Sequence, residues 1–214
     1  MLTDEGLALI LEFEVGGGKE YYNKFLSRPT WPGYSSGVTI GIGWDCGYNT
    51  IPQLHEAWGG VLCDSSISAL SLAIGKTGIS ASEYLKSSAL REIEVPWEKA
   101  LAVFLRVTIP AFYLKTLRAY PQAEHLPDQC RDALISLVFN RGTDMNGERR
   151  IEMAQIRNCL RENRISDIPA AIRSMKRLWP DARNPDKETG LQRRRSAEAS
   201  LFERFMKNGT RNRI

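Results

Sequence analysis

The chain has 214 residues, 43% of them apolar, with 29 basic and 25 acidic side chains for a net charge of +4. That content suffices to bury a sizeable core, and one domain of two lobes is expected, approximately 1–95 and 96–214. Low-complexity and repeat architectures are excluded, and no apolar run in the sequence is long enough to span a bilayer.

The first element predicted is a helix over Thr3 to Val15. Thr3 is its N-cap, Asp4 and Glu5 occupy the acidic-favouring first turn, and Gly16-Gly17-Gly18 ends it. Leu7, Ile10 and Leu11 form one apolar stripe, and the next position on that stripe is Glu14. An acid therefore stands where a core residue is expected, at a helix end whose dipole disfavours negative charge. Such a place suits a proton donor. Glu12 is rotated off the stripe and faces water.

The run Gly37-Val38-Thr39-Ile40-Gly41-Ile42-Gly43-Trp44-Asp45 is the β-like part of the chain. Its glycines predict a sharp bend or a groove wall open to the flat face of a ligand, with Thr39 and Asp45 flanking it. Trp31, Tyr34 and Trp44 are the aromatics available to stack there, although such residues are more often core. Two carboxylates, Glu14 and Asp45, are then the candidates for paired acid and base work. Glu20 is the fallback for the second.

Helices are predicted for the remainder. Asp64 caps Ser65 to Ile74, and Ser80 with Glu83 forms a capping-box pattern for a helix reaching about Ile93. Pro96 opens the helix of Trp97 to Val107, and Pro110 kinks or ends it before Ala111 to Tyr120. Pro127 opens a helix through Asn140, stopped by Gly142, so Asn140 and Arg141 stand at a helix end. Glu148 to Leu160, Asp167 to Leu178 and Glu188 to Met206 complete a helical C-terminal part. The fold class is α+β, mainly α.

Cys46, Cys63, Cys130 and Cys159 lack metal-binding or redox spacing, and free thiols are expected. Cys46 follows Asp45 directly, which leaves a competing reading as a cysteine-dependent peptidase or amidase using His55 or His125. Two histidines without companion ligands argue against a catalytic metal, and no cofactor is expected. The tail from Leu191 to Ile214 carries seven basic and two acidic residues. That charge suits an anionic wall or membrane surface, or a solvated helical face with Arg211 and Arg213 in a frayed end. No nucleic-acid fold signature accompanies it.

Glu14, the loop carrying Tyr21-Tyr22-Asn23, then Pro29-Thr30-Trp31-Pro32-Gly33 and Ser36 to Asp45, together resemble the pesticin-type muramidases, relatives of the phage lysozymes. Leu137-Val138-Phe139-Asn140-Arg141-Gly142 is similar to the helix end facing the sugar cleft in that superfamily. Gly190-Leu191-Gln192-Arg193-Arg194-Arg195-Ser196-Ala197-Glu198 is similar to its C-terminal arginine block. The resemblance implies a lysozyme-like fold and cleavage of the β-1,4 bond between N-acetylmuramic acid and N-acetylglucosamine. Glu14 is then the general acid, Asp45 the carboxylate activating water, Thr39 a hydroxyl holding that water, and Arg194 the partner of Glu14 in the free enzyme. Asn140, Arg141, Trp44 and Tyr34 become substrate contacts. Phage lysozymes place the second acid before the threonine, whereas here it follows by six positions, as in the pesticin-type pattern.

Glycosidic cleavage passes through an oxocarbenium-like state, so one acid protonates the leaving oxygen while the opposite face needs a nucleophile or an activated water. The wider carboxylate spacing and an inverting outcome are expected. The implied partner is the peptidoglycan glycan strand, met as a monomer, with an immunity or inhibitor protein if the chain is an effector. Met1-Leu2-Thr3-Asp4-Glu5-Gly6 lacks the pattern of a signal peptide, so release by a phage protein or delivery by a secretion machine is the expected route. The remaining rivals are a non-catalytic wall-binding module and a lytic transglycosylase.

Overall fold

The computed structural model describes residues 2–16, 18–181, 184 and 187–211. Gly17 and Arg213 lie outside the described residues, as does the side chain of Arg211. The architecture is mainly helical, with a small two-stranded antiparallel sheet. Two compact units divide the chain, one made of Met1–Phe13 with Pro110–Ile214 and the other of Glu14–Ile109. The lobe boundary expected near residue 95 therefore falls at Ile109, and the first helix clusters with the C-terminal helices.

Helix α1 (Asp4–Glu14) begins as its sequence requires, because the Thr3 hydroxyl accepts from the Gly6 amide at 3.1 Å. A long-range partner reinforces that cap. The carboxylate of Asp132 accepts from the Thr3 amide at 2.8 Å and from its hydroxyl at 2.7 Å. Asp132 is fully buried and meets the helix where residue 6 must lack a side chain, since a Cβ on Gly6 would lie 2.3 Å from the Asp132 carboxylate. At the other end Gly16 takes φ +55, the left-handed conformation that stops a helix.

In the unit Glu14–Ile109, α2 (Lys19–Phe25) was not anticipated, nor was α3 (Ile51–Trp58). The capping box lies at α3, where Thr50 and Gln53 satisfy each other's backbone amides. The Ser80 hydroxyl instead bonds back to the Thr77 carbonyl. The helix expected from there to Ile93 divides into α5 (Gly78–Leu85) and α6 (Ser88–Arg91), after α4 (Asp64–Ser71). Cys63 rather than Asp64 is the N-cap residue of α4.

Trp97 to Ala119 runs as one continuous helical stretch: α7 (Trp97–Val103), a π-helical segment over Phe104–Thr108, and α8 (Ile109–Ala119). The expected interruption takes this form because Pro110 has no amide proton and its ring crowds the carbonyl four residues back. One residue is absorbed as a π-bulge, with the Ile109 amide reaching the Phe104 carbonyl. Joined in this way the stretch is 23 residues, long and apolar enough by length and composition to cross a membrane, unlike any uninterrupted run expected from sequence. It also carries Glu98, Lys99, Arg106, Lys115 and Arg118.

In the unit of Met1–Phe13 and Pro110–Ile214, α9 (Asp128–Arg141) is the central element, buried at every position from Asp132 to Val138. A stretch buried on every side must be covered on every side, with its polar members Asp132 and Ser136 hydrogen-bonded, and α12 (Gly190–Arg211) packs along α9, with α11 (Ile168–Ser174) against α12 and α10 (Ile151–Arg161) against α11. Leu134, Leu137, Met153, Ile156, Ile172 and Phe202 are fully buried in this core.

Candidate functional site

The β-like run forms a hairpin, β1 (Thr39–Ile40) and β2 (Trp44–Asp45), with Gly41-Ile42-Gly43 as its loop. Gly41 and Gly43 take φ +58 and +69, so the glycines supply the sharp bend. Gly41 also allows close packing, since a Cβ there would sit 2.6 Å from the Trp58 ring. Gly41 thus serves the protein's own core and makes no ligand-facing wall, while Gly43 is exposed.

Alternation along the two strands sorts the side chains. Val38, Ile40, Trp44 and Cys46 are buried, whereas Thr39 and Asp45 are half-exposed. Thr39 and Asp45 are direct cross-strand partners. The bond from the Cys46 amide to the Val38 carbonyl makes theirs the narrow, non-hydrogen-bonded kind of pair, with Cα atoms about 4.5 Å apart. Thr39 is also bridged on its other side to Thr30 by two backbone bonds of 2.8 and 2.9 Å. Thr30, Thr39 and Asp45 therefore stand abreast on one half-open face. Sequence reasoning missed Thr30, because a lone bridge between distant loop residues leaves no periodic signal.

The Asp45 carboxylate is held by backbone amides. Its Oδ1 accepts from Gly47 at 2.7 Å and from Gly37 at 3.0 Å, and Oδ2 shares the Gly37 amide at 3.1 Å. Gly37 is obligatory here, since a Cβ would lie 2.3 Å from both Oδ1 and the Gly47 nitrogen. Burial pushes the Asp45 carboxyl above its ordinary range, while the Gly47 and Gly37 amides pull it back. The outcome is an oriented carboxylate with raised proton affinity and one oxygen only lightly engaged.

Glu14, the last residue of α1, is half-buried and belongs to the same unit as the hairpin. Glu12 is exposed, as its helical phase predicts. Glu20, on α2, is exposed and lines an open cavity of about 550 Å³ together with Gly16, Lys19, Tyr21, Lys24 and Phe25.

The other expected residues differ widely in exposure. Trp44 is 4% exposed and packs edge-on to Trp58 with ring centroids 6.4 Å apart, so it is a core residue with no face for a sugar. Tyr34 is 97% exposed on a turn at φ +52 and meets solvent on all sides. Trp31 is half-buried, its indole donating to the Ser36 carbonyl at 3.0 Å. Cys46 is fully buried, and burial followed by the Asp45 charge pushes its thiol up to about 12, which disfavours the thiolate a nucleophile needs. Cys63 is the exposed thiol among the four, lowered to about 7 by the Ser65 and Ser66 hydroxyls, each 3.2 Å from sulfur. Nothing in the spacing of the cysteines announced that.

In the other unit, Asn140 is exposed near the C-terminal end of α9, and Gly142 ends the helix at φ +73. Arg141 is drawn inward: it donates to the Arg149 carbonyl and stacks on Trp179 at 5.1 Å, while Arg150 donates back to the Arg141 carbonyl. Burial, then Arg150, Arg195 and Arg149, lower its guanidinium to about 10. These internal partners make Arg141 a staple of its own loop. Arg194 is 2% exposed and donates to Ser136 and Glu198, with its guanidinium 5.8 Å from the Phe13 ring. Arg195 also donates to Glu198, at 2.9 Å. Within the arginine block, Arg194 and Arg195 are core and Arg193 is exposed. Among the described residues no group of three or more His, Cys, Asp or Glu side chains is placed to hold a metal ion.

No curated protein matches the chain. A sequence model of DUF8812, a domain of unknown function, matches residues 10–186, a span that includes Glu14, the hairpin, Asn140 and Arg141 and stops before α12. That span is most of the chain, and the protein belongs to the DUF8812 family.

Proposed function

We propose that this protein is a muramidase of lysozyme-like fold, hydrolysing the β-1,4 bond between N-acetylmuramic acid and N-acetylglucosamine in peptidoglycan. The observation that carries the reading is the cross-strand pairing of Thr39 with Asp45 on a half-open face. A hydroxyl beside a carboxylate at that spacing can hold one water between them and orient it. The Gly37 and Gly47 amides fix the carboxylate before substrate arrives. Burial makes it a better proton acceptor once it is ionised.

Glu14 protonates the leaving oxygen, Asp45 takes the proton of the attacking water, and Thr39 positions that water. The water attacks the face opposite the departing sugar and the anomeric centre inverts, which calls for carboxylates roughly 6.5–9.5 Å apart. The activity serves bacterial lysis, as an endolysin or an antibacterial effector.

A second reading assigns the base to Glu20, which is exposed on the cavity wall it shares with Gly16, two residues beyond Glu14. Both readings face one experiment. Purified sacculi are digested with wild type, Glu14→Gln, Asp45→Asn and Glu20→Gln, and the fragments are analysed by mass spectrometry. Near-total loss for Glu14→Gln, large loss for Asp45→Asn and tolerance of Glu20→Gln are expected, with reducing ends in the products. An inactive Glu20→Gln beside an active Asp45→Asn transfers the base to Glu20. Anhydro ends identify a transglycosylase, and unchanged digestion by all three variants ends the muramidase reading.

A further inference from the structure

The cavity beside α2 is built on the end of the helix that carries Glu14. Gly16, at φ +55, is the first turn residue beyond that helix, and a Cβ on it would lie 2.8–3.1 Å from the Tyr21 ring. The bare backbone of Gly16 is therefore the seat of that ring. Tyr21 and Phe25 stand one helical turn apart, their centroids separated by 4.8 Å with a 48° tilt. Both are large apolar residues left in water, 44% and 52% exposed.

Their exposure is not slackness in α2. Tyr22 between them is fully buried, donates its hydroxyl to the Val95 carbonyl at 2.9 Å, and packs edge-on to Trp97 at 5.4 Å. Lys19 is tied to Glu98 at 2.5 Å. The helix is clamped on one side and presents two aromatic rings on the other.

The polar groups of the cavity complete the pattern. Lys24 places its ammonium 5.1 Å from the Phe25 centroid, and Glu20 stands at the rim. Of the two lysines that line the cavity Lys19 is paired with Glu98, and aromatic faces with the Lys24 cation and a hydrogen-bond acceptor match an amphipathic ring that carries an acid: apolar C–H groups on its faces, hydroxyl and amide donors at its edge, and a carboxylate substituent. The volume, about 550 Å³, lies in the range of small-ligand sites. Gly16 is two residues from Glu14, so the cavity opens within about 7 Å of chain from it.

We propose that the Tyr21–Phe25 shelf is a saccharide subsite adjoining the cleavage point, selective for a carboxylate-bearing amino sugar through Lys24. In the muramidase reading, on which this rests, the ring it holds is an N-acetylmuramyl residue and the anion is its lactyl group. The aromatic pair binds any N-acetylated pyranose, and Lys24 adds the preference for the acidic one.

The test is calorimetric titration of the full chain with two soluble tetrasaccharides, chitotetraose and a peptide-free alternating N-acetylglucosamine–N-acetylmuramic acid tetramer. It uses the Glu14→Gln background to prevent turnover. Adding Tyr21→Ala with Phe25→Ala weakens both sugars by about tenfold or more, the loss of two ring contacts. Adding Lys24→Gln weakens only the acidic tetramer, several-fold, and salt has the same selective effect. Unfolding midpoints stay close to those of the parent, because the rings removed are exposed. The proposal is overturned if neither sugar binds, if the double aromatic variant binds both normally, or if Lys24→Gln weakens both sugars equally. Its fate is separable from that of the activity: shelf-dependent binding without digestion of sacculi leaves the subsite standing and removes the hydrolase, and digestion indifferent to the shelf does the reverse.

Discussion

Two carboxylates, Asp45 in the hairpin and Glu198 on α12, each collect several donors, and they do so in opposite surroundings. Asp45 is held by main-chain amides from Gly37 and Gly47, on a face left half-open. Glu198 is sealed at 0% exposure, where Ser136 donates to it at 2.7 Å and Arg194 and Arg195 at 3.2 and 2.9 Å. Amides spend no side chain on the job and leave the neighbouring row, Thr30 and Thr39, facing solvent. Guanidiniums fill the space around the acid and must be buried with it. The first arrangement keeps a carboxylate available for chemistry, and the second makes one a structural rivet.

That contrast is most sharply broken at Glu198. Glu198→Ala removes a shared carboxylate acceptor from two buried guanidiniums and should cost roughly 3–5 kcal/mol, seen as a large fall in the urea midpoint. Gly37→Ala acts on the hairpin instead. Its Cβ must displace the Asp45 carboxylate or the Gly47 backbone, for an expected cost of roughly 1–3 kcal/mol together with loss of activity. If Gly37→Ala unfolds at the parent midpoint and digests sacculi normally, the amide clamp on Asp45 has no part in catalysis.

Asp132 offers a finer test, since it shares features of both acids: it accepts from the Thr3 amide, yet it is fully buried. Burial raises its carboxyl above the ordinary value against the pull of Thr3. In the unfolded chain it ionises near the usual value of about 3.9, and folded it ionises later. Its contribution is therefore complete below about pH 4 and lost as pH climbs through the raised folded value. Asp132→Asn should remove that decline. Measured between pH 4 and 7, the variant should gain on wild type as pH rises, then hold a constant difference. The smallest effect is expected at Cys46, behind the hairpin. Cys46→Ala should leave digestion unchanged and cost about 1 kcal/mol through lost packing. An inactive, folded Cys46→Ala would restore the cysteine peptidase reading.

Local chemistry made much of this protein legible from its residues. The Thr3 cap, the glycine at the end of α1, the bend at Gly41 and Gly43, and the stop at Gly142 all depend on one or two residues and their immediate backbone. Thr39 and Asp45 were legible as the flanking pair of that run, and strand alternation is the reason they share a face while Val38 and Ile40 turn inward. The irregularity expected at Pro110 had a local cause too, and it takes the form of a π-bulge inside the helix and not of a helix end.

The tertiary structure decided which motif residues are buried and what each one touches. A tryptophan reads the same whether it faces a sugar or Trp58, and an arginine the same whether it faces solvent or Glu198. The bridge that sets Thr30 beside Thr39, the Asp132 carboxylate that finishes the cap of α1, and the Gly16 seat that turns Tyr21 outward join residues through space. Sequence by itself determined most of the helices and the hairpin and raised the candidate acids, because periodicity and capping are short-range, but it missed α2 and α3. Burial and partnership are properties of the folded surroundings, and only those surroundings separated an open carboxylate from a sealed one.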